Sequence, residues 1–96
     1  MTPVQILKAA RAKIEKPEDW GQGDSVRRGC PIGHTFCSLE AIYSCQKSGD
    51  AVAAEVILRG VIGRKDVLSW NDASERTHAE VLEAFDRAIA LAEAQP

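Results

Sequence analysis

Large aromatic side chains are scarce in this 96-residue chain, which holds two Trp, two Phe and one Tyr. Fourteen of its apolar residues are Ala. A core with so few large anchors gains little per residue, since each buried methylene is worth roughly 0.8 kcal/mol, and it compensates by bringing backbones close together. Pairing of two copies, a homodimer, would supply the missing apolar burial. Cysteine is also sparse, with three residues. An odd, low count excludes a disulfide scaffold and fits free thiols in a reducing cytoplasm. No apolar run approaches the roughly 20 residues that a membrane helix needs, and Met1-Thr2-Pro3-Val4 does not open an export signal, so no membrane partner is expected. Neither sign of charge dominates: twelve basic residues face fourteen acidic ones, a net charge of −2. That balance leaves no electrostatic footprint for nucleic acid and is too weak for a DNA mimic. The small basic groups at Arg27 and Arg28 and at Arg59, Arg64 and Lys65 read as parts of a solvated face.

What is present is helical periodicity. Thr2 can cap a helix with Pro3 at its first position, and Val4, Leu7, Ala10 and Ile14 recur at helical spacing until Pro17, predicting a first helix over 3–16. Residues 17–34 carry four Gly and two Pro. They read as one long irregular loop, with a short hairpin around Gly29 as the alternative and Trp20 docking it to the core. A second helix is expected from Thr35 to Lys47, with Phe36, Leu39, Ile42 and Tyr43 on its apolar side, Cys37, Ala41 and Cys45 as a stripe of small residues, and Gly49 as a left-handed cap. Asp50 then caps a third helix, 51–62, whose only charged residues are Glu55 and Arg59, which marks it as the central one. Gly60 near its end reads as a close helix crossing or the start of a cap. Residues 66–70 read as a short turn. Thr77 and Glu80 stand in a capping-box relation, and Val81, Leu82, Phe85, Ala88, Ile89 and Ala92 form an apolar stripe along a last helix, with Glu83 and Arg87 as an exposed pair. The expectation is a mainly α, compact bundle of about four helices in a single domain over 1–96, with a long Gly-rich loop between helices 1 and 2.

Three weaker patterns bear on chemistry. Cys30, His34, Cys37 and Cys45 have donor types suited to a metal, but no C-x2-C pair occurs, and Cys37 and Cys45 on one helix lie about 12 Å apart. No metal and no cofactor is expected. Cys37 at a helix N-terminus, with His78 and Asp72, would compose a Cys-His-Asp arrangement for acyl transfer, which makes a cysteine-dependent hydrolase the third reading. The segment from Trp70 to His78 is the richest. It gathers Trp70, Asn71, Asp72, Arg76, Thr77 and His78 within nine residues. As structure, Asn71 or Asp72 makes an Asx-turn, Asp72 pairs with Arg76, Thr77 caps the last helix and Trp70 plugs the core. As function, the helix N-terminus with Arg76 and His78 would hold a small anion.

The segments Phe36-Cys37-Ser38-Leu39-Glu40-Ala41-Ile42, Trp70-Asn71-Asp72 and Arg76-Thr77-His78-Ala79-Glu80-Val81 resemble a family of short bacterial and phage proteins of unknown function. The opening amphipathic helix and a Trp near position 20 extend the resemblance over most of the chain. Glu40 stands where relatives carry a small residue, and Cys30 and Cys45 are peculiar to this chain. The resemblance implies a phage-associated protein. The reading that follows is a small non-enzymatic binding protein acting on a host protein, with a small-molecule or anion-binding protein using residues 70–78 as the alternative.

Overall fold

Thr2 closes the first helix as its sequence position requires. In the computed structural model, which describes residues 1–22, 36–46, 48–63 and 65–94, its hydroxyl accepts from the Gln5 amide at 3.2 Å while the Gln5 side chain accepts from the Thr2 amide at 2.8 Å. This reciprocal cap starts α1, Pro3–Lys13. The helix stops three residues short of Lys16 because Pro17 disfavours helical geometry in the residue before it. Lys16 is accordingly extended, and Pro17–Asp19 form a single 3-10 turn. Trp20 and Phe36 then meet in one isolated parallel bridge. Of the expected loop, residues 23–35 lie outside the described residues, and with them the hairpin around Gly29, Cys30, His34 and the Arg27–Arg28 pair.

Helix α2 runs Ser38–Cys45, shorter than expected. Phe36 is held in the bridge and Cys37 is the cap, its Sγ accepting from the Glu40 amide at 3.3 Å. Its buried residues are Ser38, Ala41 and Ile42. Phe36, Leu39 and Tyr43, expected to form the apolar side, are only partly buried. Gly49 does not cap this helix. Gln46 ends it in an extended conformation, and Gly49 is the first residue of α3, Gly49–Val61, with Ser48 rather than Asp50 before it. The left-handed glycine is Gly63, φ 83°, just past the end of α3, where only glycine adopts such a φ without steric cost.

The stretch expected to be a turn is helical. Asp66 Oδ2 accepts from the Ser69 amide and hydroxyl at 3.0 and 2.9 Å, starting α4, Val67–Asp72, which buries Val67, Trp70 and Asn71 at i, i+3 and i+4 spacing. The last helix, α5, is His78–Ala94. Thr77 and Glu80 form the expected capping box: Thr77 Oγ1 accepts from the Glu80 amide at 3.2 Å and Glu80 Oε1 from the Thr77 amide at 2.9 Å. Phe85, Ile6, Leu7, Ile14, Ile42 and Leu58 are the bulky, fully buried centre of the core.

Helix α3 packs against α1, α2, α4 and α5, and α1 packs against α2, α3 and α5. Helix α3 buries Ala51, Ala54 and Leu58, as α1 buries Ile6, Leu7 and Ala10, while its Val52 and Val56 remain 51% and 57% exposed. Gly60 makes no close crossing either, since a Cβ there would meet nothing within 4 Å. Helices make up 73% of the described residues. Among these residues no helix is long and apolar enough to cross a membrane.

Candidate functional site

The six residues of the Trp70–His78 segment divide between two places. Asn71, fully buried, is the centre of an internal polar knot. Its Oδ1 accepts from Trp20 Nε1 at 2.7 Å, from the Ser38 amide at 2.9 Å and from the Ser38 hydroxyl at 2.6 Å. Its Nδ2 donates to the Gly21 carbonyl and to Asp72 Oδ1, both at 3.0 Å. Gln22 Nε2 donates to the carbonyls of Asn71 and Ala73, each at 2.8 Å. One side chain thereby ties α4 to the start of α2 and to the segment after the 3-10 turn. A buried amide with both its donors and its acceptor oxygen engaged fixes the relative placement of three segments, which an apolar contact cannot do as specifically.

His78 joins this inner side. Its Nε2 donates to the Ile14 carbonyl at 2.7 Å, supplying a partner for the end of α1. Its ring lies 6.0 Å from that of Trp20, tilted by 46°. Thr77 is spent on the helix cap. Cys37 is buried beneath the same region, and burial pushes its thiol pKa up, opposed only in part by the hydrogen bond from the Glu40 amide. A nucleophilic cysteine is tuned the other way.

Trp70, buried in the core as expected at 8% exposure, also lines, with Arg76, a cleft of about 200 Å³ between the end of α3, α4 and the first half of α5. Val61, Ile62 and Ala84 give it apolar walls, and Glu80, Glu83 and Arg87 stand at its polar side. The Arg76 guanidinium lies 4.3 Å over the Trp70 ring. Its Nε donates to the Trp70 carbonyl at 3.0 Å and its Nη1 pairs with Glu80 at 3.2 Å. Only 13% of this side chain is exposed. Arg76 thus pairs with Glu80 rather than with Asp72, and it is locked in place by stacking, a carbonyl and an ion pair. Among the described residues, Arg87 is in no ion pair; those present are Lys8–Glu93, Arg11–Glu15, Arg11–Asp86 and Arg76–Glu80. The expected Glu83–Arg87 pair is not formed.

Residues 1–91 match the model of a family described as one of unknown function, DUF6197. The chain belongs to this family. No curated protein and no solved structure matches it. The DUF6197 match spans both the knot and the cleft, so neither lies in an appendage to the family's fold.

Reading the sequence missed Ser38, Gly21 and Gln22 as partners of Asn71, and Arg87 as a cleft residue. The first three lie 33 to 50 positions from Asn71, beyond any local pattern. Arg87 had a visible signal, as a cation four residues after Glu83, but that spacing equally describes an exposed pair.

Proposed function

We propose that this chain is a small non-enzymatic binding protein of the cytoplasm that grips an acidic side chain of a protein partner in the Trp70–Arg76–Arg87 cleft. The observation that carries the reading is the convergence in one small cleft of an indole, a rigidly held guanidinium and a second one that is in no ion pair among the described residues. Trp and Arg in a partly desolvated recess are the residue types that carry most binding energy at protein interfaces. The groups that acyl-transfer chemistry would need have other work: the imidazole of His78 holds the end of α1, and Cys37 is buried as a neutral thiol. The family resemblance adds the setting, a phage-associated protein acting on a host protein. A small anionic ligand is the second reading, favoured by Arg87, which is in no ion pair among the described residues, beside Arg76.

Affinity capture from host lysate with wild type, Arg87→Glu and the surface control Lys8→Ala tests the proposal. A protein retained by wild type and Lys8→Ala but lost from Arg87→Glu supports it, and truncation of an interface anchor of this kind costs about 2 kcal/mol or more, some 30-fold in Kd. Equal capture by all three variants would overturn it. A metabolite thermal-shift panel giving an Arg87-dependent rise in Tm would favour the small anion instead.

A further inference from the structure

The outward face of α3 has no packing partner among the described residues. Val52, Val56, Arg59 and Gly60 recur at i, i+4, i+7 and i+8, opposite the buried Ala51, Ala54 and Leu58. Val52 and Val56 are half exposed, and Arg59 and Gly60 are exposed. A Cβ at Gly60 would meet nothing within 4 Å, and its φ is not in the left-handed region, so the absence of a side chain here leaves the helix face open to close approach by another surface. The charges on this face are self-complementary. Glu55 lies on the same flank as Arg59, accepts from the Tyr43 hydroxyl at 2.6 Å through one oxygen only, and is not in an ion pair with Arg59 among the described residues.

We propose that two copies of this chain associate antiparallel through α3, with Val56 on the two-fold axis. In that register Val52 of each copy seats on Gly60 of the other, and Val56 meets Val56. A two-fold of this kind keeps each flank on its own side, so Arg59 of one copy lies beside Glu55 of the other, offset by about 3 Å along the helix. In a parallel pair the two-fold exchanges the flanks, so Arg59 and Glu55 of one copy would face the opposite flank of the other and not each other. A single 13-residue helix pair covers far less than the roughly 1,200–2,000 Å² of a tight interface. The dimer is therefore weak and reversible.

Sedimentation equilibrium of the full chain over a wide concentration series tests this, with circular dichroism to verify folding. Wild type should move from monomer to dimer as concentration rises. Val56→Glu and Gly60→Glu, the latter at a position where a side chain has free space, should each raise the dimer Kd by about 100-fold, the scale of placing an unpaired charge in an interface. Arg59→Glu should weaken the dimer and Arg59→Glu with Glu55→Arg in the same chain should restore it. A wild type that stays monomeric throughout, or a dimer indifferent to Val56→Glu and Gly60→Glu, would overturn the proposal. Failure of the double reversal to restore what the single one lost would overturn the antiparallel register.

Discussion

Asn71 carries more structure than any other polar side chain among the described residues, because its amide serves three segments at once. Asn71→Ala would leave the Trp20 indole N–H, the Ser38 amide and hydroxyl and the Gly21 carbonyl without their partner. Each orphaned buried group costs about 1–3 kcal/mol, reduced where water can enter. We expect a loss of about 3 kcal/mol or more in urea unfolding, accompanied by a blue-to-red shift in Trp20 fluorescence as the indole loses its seat. His78 has a smaller, separable task. His78→Ala should lower stability by about 1–2 kcal/mol, since it removes one partly buried hydrogen bond to the Ile14 carbonyl, and should leave capture of a partner at the cleft intact. If His78→Ala abolished capture without altering the urea midpoint, the imidazole would belong to the binding surface instead.

At the scale of elements, the start of α5 is the point most open to a pH test. The Thr77 amide and hydroxyl, with Arg76 beside them, hold the Glu80 carboxyl below its ordinary value of 4.5. A depressed pKa means that the folded state favours the carboxylate. The stabilisation is complete above the unfolded value and is lost as pH falls through the lower folded one. Wild type should therefore lose stability on acidification more steeply than Glu80→Gln, as read from urea midpoints taken between neutrality and acid. Identical slopes would mean that the cap does not discriminate the charged form. Thr77→Ala should cost about 1 kcal/mol at neutral pH, the usual scale for losing an N-cap side chain. The Lys8–Glu93 pair is exposed at both ends, so its removal should have little effect on stability.

For the whole molecule, stability should follow the burial of individual side chains rather than the apolarity of the helix that carries them. Leu7 is fully buried on α1, against which three helices pack. Leu7→Ala should cost about 2–5 kcal/mol, the transfer energy of the lost methylenes plus the cavity left behind. Val56→Ala, on the exposed face of α3, should change monomer stability by no more than about 0.5 kcal/mol. Chemical denaturation of both variants at high dilution measures the contrast. A Val56→Ala loss equal to that of Leu7→Ala would mean that this face of α3 is buried in the folded chain. The same exposed face leads the self-association argument, so the pair of variants separates a residue that holds the fold from one that meets another copy.

The sequence alone settled what local chemistry controls. The Thr2–Pro3 start of α1, the Thr77–Glu80 box and the apolar stripe of α5 were legible because caps and helical periodicity act within a few residues. The helical class follows from the same signals summed along the chain. Tertiary structure decided the rest. Whether Gly49 ends a helix or begins one depends on where Gln46 and Ser48 go, and the apolar composition of α3 did not say that Ala51, Ala54 and Leu58 would be buried while Val52 and Val56 stay exposed. Within the Trp70–His78 segment, residue types showed a dense set of donors and acceptors but not their division. Asn71 and His78 are held because Ser38, Trp20 and the Ile14 carbonyl are brought to them by long-range packing, whereas Trp70 and Arg76 come to line one cleft because α3 ends beside them. That sorting rests on contacts between segments far apart in the chain, which no short-range pattern encodes.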